Sequence, residues 1–299
     1  MQFTSRQQER DSVLFYNIDI MEKSPAHNSR TTTTDAILEQ GVNKKAHAIS
    51  IEKSKRLGHV PPRSSSFVVK EEDGSTHPIP QQNTCAVVGN SGILLDSNCG
   101  EAIDSNDFVI RCNIPEIEKY SRDVGTKTNI THMNPRRVHD LFEHARQNKD
   151  YLNLYEDFRF LNNSILWSRG SAESAGTQNL LYSTNYLMSK FNLNFRIAYT
   201  KGKLWCTIIQ RYMNEINVPT AGMLAIAEAF CLCDKISVYG FYPFLTGPDD
   251  RTVPYHYFGE MTTKTLDNFD TGHNFRQEYS ILQLLDRDGI LELVSVKCK

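Results

Sequence analysis

Hydrophobic positions show no sustained period over residues 1–82 and become regular from Thr84 onward, where short β-branched runs alternate with amphipathic segments. Ala86–Val88, Phe108–Arg111, Asn129–Met133, Ile165–Trp167, Phe195–Tyr199, Lys235–Tyr239 and Leu291–Val296 are the expected strands. Pro135–Gln147, Gln178–Phe191, Leu204–Asn214, Ala221–Leu232 and Phe275–Asp286 are the expected helices. The last places Phe275, Tyr279, Leu282 and Leu285 on one face. This alternation, over roughly 215 residues, argues for one α/β domain at 83–299 with a doubly wound, mostly parallel sheet and a substantial core. Residues 1–82, with Thr31 to Thr34, Pro61-Pro62, Ser64 to Ser66 and scattered charge, read as a poorly ordered arm.

Composition narrows the classes. The 299-residue chain has 33 Lys and Arg against 35 Asp and Glu, a formal net charge of −2, and no basic block or aromatic-interleaved basic stripe. Nothing in it points to nucleic acid. The apolar run Val13-Leu-Phe-Tyr16 falls far short of the about 20 residues of a membrane span, and no secretion signal or lipidation motif opens the chain. The cysteines are Cys85, Cys99, Cys112, Cys206, Cys231, Cys233 and Cys298, an odd number whose pairing the sequence does not choose. Cys231-x-Cys233 is too tight to pair with itself and lacks the couple a structural zinc site needs. Asn129-Ile-Thr131 and Asn162-Asn-Ser164 are glycan acceptor sequons, and with the cysteines they tilt toward a secretory compartment.

Candidate chemistry begins at Cys85-Ala-Val-Val-Gly-Asn-Ser-Gly-Ile-Leu94, an apolar strand that runs into a glycine-bracketed turn opening a helix. Gly89 and Gly92 let backbone approach a ligand, and the N–H groups opening the helix favour a phosphate. No Gly-Lys-Ser/Thr follows and the full G-x-G-x-x-G is absent, so the turn is neither a Walker loop nor a dinucleotide fingerprint. The next strand ends in Arg111-Cys112-Asn113, where a nicotinamide enzyme carries an acid for the ribose hydroxyls. Asn90 and Asn113 instead sit at the tips of neighbouring strands, two carboxamides suited to a nucleotide or sugar. Ser91 lacks the G-x-S-x-G elbow of a nucleophile.

Three further clusters lie downstream. Pro219-Thr-Ala-Gly-Met-Leu-Ala225 is a small-residue turn into a helix, which leads through Cys233 to the corner Gly240-Phe-Tyr-Pro-Phe244. Locally it reads as an N-cap and loop; facing a nucleotide, Thr220 and Gly222 offer a hydroxyl and an approachable backbone. The His of Pro254-Tyr-His-Tyr-Phe258 reads as a packed core residue or, facing a ligand, as a group that neutralises a departing phosphate. His273-x-x-x-x-Glu278 precedes the last helix, its His either an exposed cap or a general base for a sugar hydroxyl. The histidines lack close ligand spacing, and Asp249-Asp250 beside Gly247-Pro248 reads as a turn, so no metal is expected.

Together these segments resemble the animal sialyltransferases, most closely the α-2,8-sialyltransferase branch. The similarity spans about Thr84 to Cys298, with four separated motifs in the family's order. Cys85 through Arg-Asp-Val-Gly-Thr-Lys-Thr-Asn129 resembles the long sialyl motif, and Pro219 to about Phe244 the short one. Pro254-Tyr-His-Tyr257 resembles the third motif and His273-x-x-x-x-Glu278 the very short one. The resemblance implies a single Rossmann-like glycosyltransferase domain, a GT-A-like variant. It implies metal-independent, inverting transfer of sialic acid from CMP-sialic acid, with no cofactor, to an already sialylated glycoprotein or ganglioside glycan. His273 would be the base and His256 would assist the leaving phosphate, while Asn90, Ser91, Asn113, Thr220, Ala221, Gly222 and Tyr242 would line the donor site.

The same resemblance implies disulfides Cys85 with Cys233 and Cys99 with Cys298, leaving Cys112, Cys206 and Cys231 outside them. Two positions depart from the family pattern. Ala221 stands where a second hydroxyl or similar polar group is usual, and Tyr242 where a Trp is usual, so altered donor binding is expected. They motivate an alternative, a catalytically weak relative that binds CMP-sugar or sialoglycan. Family members are typically Golgi-lumenal with one N-terminal span; no anchor is visible here, so the expected address is the lumen, with a start that is incomplete, alternative or differently targeted. Lys190, Arg196, Lys201, Lys203 and Arg211 make the region before the short motif only moderately basic, which favours mono- or oligosialylation over long polysialic chains.

Overall fold

The computed structural model describes residues 67–70, 76–147, 158–168, 174–200, 216, 218–259 and 272–298. Among them one sheet is built from β1 (Phe67–Lys70), β2 (Thr76–Pro78), β3 (Gln82–Val88), β4 (Phe108–Cys112), β5 (Ile130–Met133), β6 (Ser164–Ser168), β7 (Phe195–Thr200), β8 (Cys233–Tyr239) and β9 (Glu292–Val294). The spatial order is β2-β1-β7-β6-β5-β4-β3-β8-β9. From β7 through β9 every neighbouring pair is parallel. β1 runs antiparallel to both β7 and β2.

All seven sequence-expected strands are present, the last shortened to Glu292–Val294. β1 and β2 are the addition, since they fall within the stretch read as an arm. At four and three residues they are too short to show a period, and β1 joins the sheet by pairing along the β7 edge, Val69 opposite Ala198. The helices are α1 (Gly100–Asp104), α2 (Ser121–Val124), α3 (Pro135–Arg146), α4 (Ala175–Phe191), α5 (Ala221–Leu232) and α6 (Phe275–Arg287). The expected helix Leu204–Asn214 lies outside the described residues. Asn134, Ser174, Thr220 and Asn274 cap α3, α4, α5 and α6 through side-chain oxygens that accept a backbone N–H of the first turn.

The pleat sorts side chains to two covered faces, which is why the strands read as continuous apolar runs. Cys85 and Val87 of β3, with Ile110 of β4, join a core that includes α5 and Ile281, Leu282 and Leu285 of α6. Ala86 and Val88 point the other way, into a cluster with Ile93, Leu94 and Ile103. Leu166 of β6 packs on that second face with Val138 and Leu141 of α3 and Leu180 and Leu187 of α4. Helices therefore cover both faces, the doubly wound arrangement expected.

Strand order reverses between β3 and β8: the chain steps outward from β3 to β7 on one side and places β8 and β9 on the other. In such sheets the crevice beyond the carboxyl ends of the strands at the reversal is where ligands bind. Two disulfides brace this region, Cys85–Cys233 across β3 and β8 and Cys99–Cys298 from the α1 start to the chain's end. They close loops of 148 and 199 residues, which a chain-entropy model values at about 4–5 kcal/mol each. Cys112 and Cys231 are buried thiols outside them, and Cys206 lies outside the described residues.

Beyond β4 the chain is held by polar contacts to buried groups. The Arg111 guanidinium, wholly buried, donates to the carbonyls of Val124 and Lys127 at 2.9 Å and to Thr128 Oγ1 at 3.0 Å. Burial pulls its pKa down to about 10. Asp104 accepts from Thr126 N, Thr126 Oγ1 and Lys127 N, and Asp123 accepts from Asp96 N and Asn98 N. These contacts account for the polar residues at the end of the long motif: they fold the loop rather than face a ligand.

Within the core, His132 Nδ1 and Glu228 Oε1 lie 2.8 Å apart, with side-chain exposures of 1% and 0%. The His132 ring meets Trp167 edge-on at 4.1 Å between centroids. Burial pushes the Glu228 carboxyl well above the usual carboxylate range, which favours its neutral form in the folded chain. Because the unfolded carboxyl ionises at lower pH, stability from this group is complete below the ordinary carboxylate pKa and is lost as pH rises toward the folded value. Glu228→Gln keeps the shape without the ionisation. It should lose less stability than the parent between pH 5 and pH 8, measured by denaturant unfolding across that range, whereas Glu228→Ala should be destabilised throughout by about 1–3 kcal/mol.

Candidate active site

The carboxyl ends of β3 and β8 meet without side chains between them. Gly89 N donates to Tyr239 O at 2.8 Å and Ser91 N to Gly240 O at 3.0 Å. A Cβ on Gly89 would lie 2.5 Å from Gly240 O, and one on Gly240, at φ +72°, would lie 2.7 Å from Gly89 O. Both corners thus require glycine. The segment Pro254–Tyr257 is tied to the same turn, with Gly92 N donating to Pro254 O and Tyr257 N to Asn90 O, each at 3.0 Å. A Cβ on Gly92 would collide with Pro254.

A cleft opens over these corners. Its lining includes Gly89, Asn90, Ser91, Cys112, Asn113, Thr220, Ala221, Gly222, Tyr242, His256 and His273, so every sequence-predicted donor-site and catalytic residue reaches one cavity. Its free space is about 890 Å³, a figure that takes in open solvent at the mouth.

Each polar group there has a defined state. Asn90 Nδ2 donates to Cys112 O at 3.1 Å, while its Oδ1 is buried with no hydrogen-bond partner among the described residues. A buried carbonyl oxygen of this kind is placed to accept from a water or a ligand. Asn113 adopts φ +60° and its Oδ1 accepts from Asn134 N at 3.0 Å, so its carboxamide shapes the floor through Asn134. Ser91 Oγ donates to Tyr242 O at 3.0 Å and accepts from Ile93 N at 3.3 Å, which makes it a local cap. Cys112 is a cleft-floor thiol pushed up to about 12, mainly by burial and then by Glu228, and is therefore protonated.

The amino end of α5 points its first turn at the cleft. Thr220 Oγ1 accepts from Met223 N at 3.1 Å and donates to Glu278 Oε2 at 2.7 Å, so the hydroxyl read from sequence as a ligand contact is engaged within the protein. The N–H groups of Ala221 and Gly222, at the first two positions of α5, have no intrahelical acceptor and carry the positive end of the helix dipole. Thr220 is thus the N-cap that the local reading of the segment gave, and the backbone beside it offers donors of the kind that suit an anion. Gly222 also passes close to Phe241, whose Cε1 would lie 2.5 Å from an added Cβ.

The two histidines differ in setting. His256 is half-buried, stacked on Phe258 at 5.4 Å and tilted against Tyr255 at 4.3 Å, and burial lowers its pKa. His273 Nδ1 lies 2.8 Å from Val218 O. A carbonyl accepts only, so Nδ1 carries a proton and donates there; in the neutral ring this is the tautomer with its lone pair on Nε2. The Tyr242 hydroxyl donates to Thr246 O at 2.9 Å, and its ring meets Phe244 and Tyr279 edge-on at 5.2 and 5.6 Å.

The sequence motifs did not assign Asn134, Tyr255, Phe275 or Tyr279 to the cleft, nor give Glu278 a role. Phe275 and Tyr279 were visible as the apolar face of α6, and that face turns out to end at the cleft. Of the two sequons, Asn162 is exposed, whereas Asn129 is half-buried with Oδ1 accepting from Val109 N at 2.8 Å.

The model of glycosyltransferase family 29 (sialyltransferase) matches residues 29–290. An alpha-N-acetylneuraminide alpha-2,8-sialyltransferase of Xenopus tropicalis is 29% identical over 243 residues, covering 76% of this chain and 67% of that protein. A mammalian sialyltransferase structure aligns with 19% identity and a TM-score of 0.48, covering 72% of this chain and 70% of that one. Another, in complex with Gal-beta-1-3GalNAc-ortho-nitrophenol, aligns with a TM-score of 0.46 at the same identity and coverage. The family match over residues 29–290, most of the chain, places the protein: it belongs to glycosyltransferase family 29 and is a CMP-sialic acid-dependent sialyltransferase.

Proposed function

We propose that the chain transfers sialic acid from CMP-sialic acid to a hydroxyl of a sialic acid already capping a glycoprotein or ganglioside glycan, forming an α-2,8 linkage with inversion and without a metal ion. The observation that carries the reading is the bond between His273 Nδ1 and Val218 O, in the cleft that also holds the β3 turn and the α5 amino end, which supports Nε2 as the base. The α-2,8 relative supports the linkage.

In this scheme His273 Nε2 takes the proton of the acceptor hydroxyl as that oxygen attacks the anomeric carbon. The bond from that carbon to the CMP phosphate breaks, and positive charge develops on the sugar ring. The leaving phosphate gains negative charge, met by the N–H groups of Ala221 and Gly222 and by His256. His256, kept neutral by burial, offers an N–H and is drawn toward protonation as the phosphate arrives. Asn90 Oδ1 accepts from a donor group of the nucleotide or sugar. Tyr242 supplies a ring face in place of the indole usual in the family.

The proposed address is the Golgi lumen, and the exposed Asn162 is the sequon proposed to carry a glycan. Among the described residues no helix is long and apolar enough to cross a membrane. A second reading, a CMP-sugar-binding relative with little turnover, follows from Ala221 and Tyr242; the presence of both histidines in the cleft weighs against it.

The deciding experiment is transfer from CMP-sialic acid, with chelator present, to sialylated and desialylated glycoproteins and to gangliosides. Transfer confined to sialylated acceptors, with an α-2,8 product, is expected; CMP binding without transfer would establish the second reading. His273→Ala should lower kcat by about 10²–10⁴-fold and leave CMP affinity nearly unchanged, and equal loss of both in a folded variant would remove His273 from the role of base. Ala221→Ser, by restoring a hydroxyl, should tighten CMP binding by about five-fold in calorimetry, the equivalent of one neutral hydrogen bond.

A further inference from the structure

Glu278 is the single carboxylate among the described residues that line the cleft, and no step of the proposed transfer uses it. It is 5% exposed. Its Oε1 accepts Thr220 N–H at 2.7 Å and its Oε2 accepts the Thr220 hydroxyl at 2.7 Å, across 58 positions of sequence. Burial raises its pKa, and the two Thr220 bonds and then His273 oppose that rise without cancelling it.

Thr220 is where the donor site is set. By accepting from Met223 N it caps α5, and so fixes the turn that presents Ala221 N and Gly222 N. His273 and Glu278 flank the cap of α6, where Asn274 Oδ1 accepts from Gln277 N and Asn274 O from Glu278 N, both at 3.0 Å. One strap, Val218 to Thr220, is thus held twice by this turn, through His273 Nδ1 at Val218 O and through Glu278 at Thr220.

We propose that Glu278 is a positioning residue that locks the phosphate-binding end of α5 to the turn of α6 carrying His273, so that donor affinity and base placement are set by one contact. The inference rests on the reading of His273 as the base. A misplacement of about 1 Å in a reacting group costs on the order of 10²-fold in rate, so a two-point clamp between donor site and base bears directly on turnover. A carboxylate suits the task because it accepts from an N–H and an O–H at once, and charge-assisted bonds are short and strong.

The test uses Glu278→Gln, Thr220→Val and the double variant in the whole chain, at a temperature where all are folded. Thr220→Val removes the hydroxyl's bond to Glu278 and its cap on Met223 N together, so Glu278→Asp, which shortens the side chain and keeps its charge, carries the test if Glu278→Gln does not fold. CMP Kd is measured by calorimetry and kcat at saturating donor and acceptor. Each single variant is expected to weaken CMP by about three- to ten-fold and to lower kcat by about ten-fold or more, and the double variant to do little more than the worse single. CMP affinity and kcat both within about two-fold of the parent, in variants that lose only melting temperature, would overturn the proposal and leave Glu278 a structural residue. So would additive losses in the double variant. If the parent itself transfers nothing, the functional reading fails separately, and the CMP affinities still decide whether Glu278 governs the donor end of α5.

Discussion

The structure depends on the close approach of two strand ends. β3 and β8, neighbours in the sheet although their cysteines are 148 positions apart in sequence, end in Gly89 and Gly240, whose backbones touch where any side chain would collide. Parallel pairing and the Cys85–Cys233 bond hold the strands, and the bonds Gly89 N to Tyr239 O and Ser91 N to Gly240 O hold the corners. Everything functional hangs from this point. The β3 turn anchors the Pro254–Tyr257 segment on one side, β8 is fed by α5, and α5 is capped through Glu278 from α6. Four motifs scattered along the chain become one cleft because each is bonded to another: the long and short motifs at the Gly89–Gly240 corners, the third at Asn90 and Gly92, and the last through His273 and Glu278 to Val218 and Thr220.

The cleft is assembled from neutral and backbone groups more than from charges. The Asn113 carboxamide and the Ser91 hydroxyl, attractive as ligand contacts, bond to nearby backbone and give the walls their shape. What the proposed transfer assigns to the ligand is Asn90 Oδ1, the amino end of α5 and the two histidines. Such a site suits a donor whose leaving group brings its own negative charge: fixed dipoles receive that charge without a cationic cluster that would have to be desolvated. Beneath the floor, the His132–Glu228 pair and the Cys112 thiol continue the polar layer into the core, where burial keeps the thiol and the carboxyl protonated.

Much of this was legible in the sequence, for identifiable reasons. α5 begins and ends where the pattern placed it, at Ala221 and Leu232, because Thr220 is a strong N-cap and the strand Cys233–Tyr239 follows at once. Strands β3 to β8 were visible because a parallel sheet covered on both faces needs continuous apolar runs. β1 and β2 left no trace, since their stability comes from the edge of β7 and not from a pattern of their own. At the site, residue types announced the histidines and the glycine corners, but the state of each group did not follow from type. That the Thr220 hydroxyl serves Glu278, or that His273 carries its proton on Nδ1, depends on contacts made across more than fifty positions of sequence.

The central claim is that the donor's phosphate is received at the amino end of α5, beside the β3 turn. Amide hydrogen exchange resolved to single residues, with and without saturating CMP, tests it most directly. The account predicts strong slowing at Ala221 and Gly222, with smaller slowing through Gly89–Ser91 and no change along the β1–β7 edge. Unchanged exchange at Ala221 and Gly222 under saturating CMP, or protection centred on another part of the sheet, would contradict it.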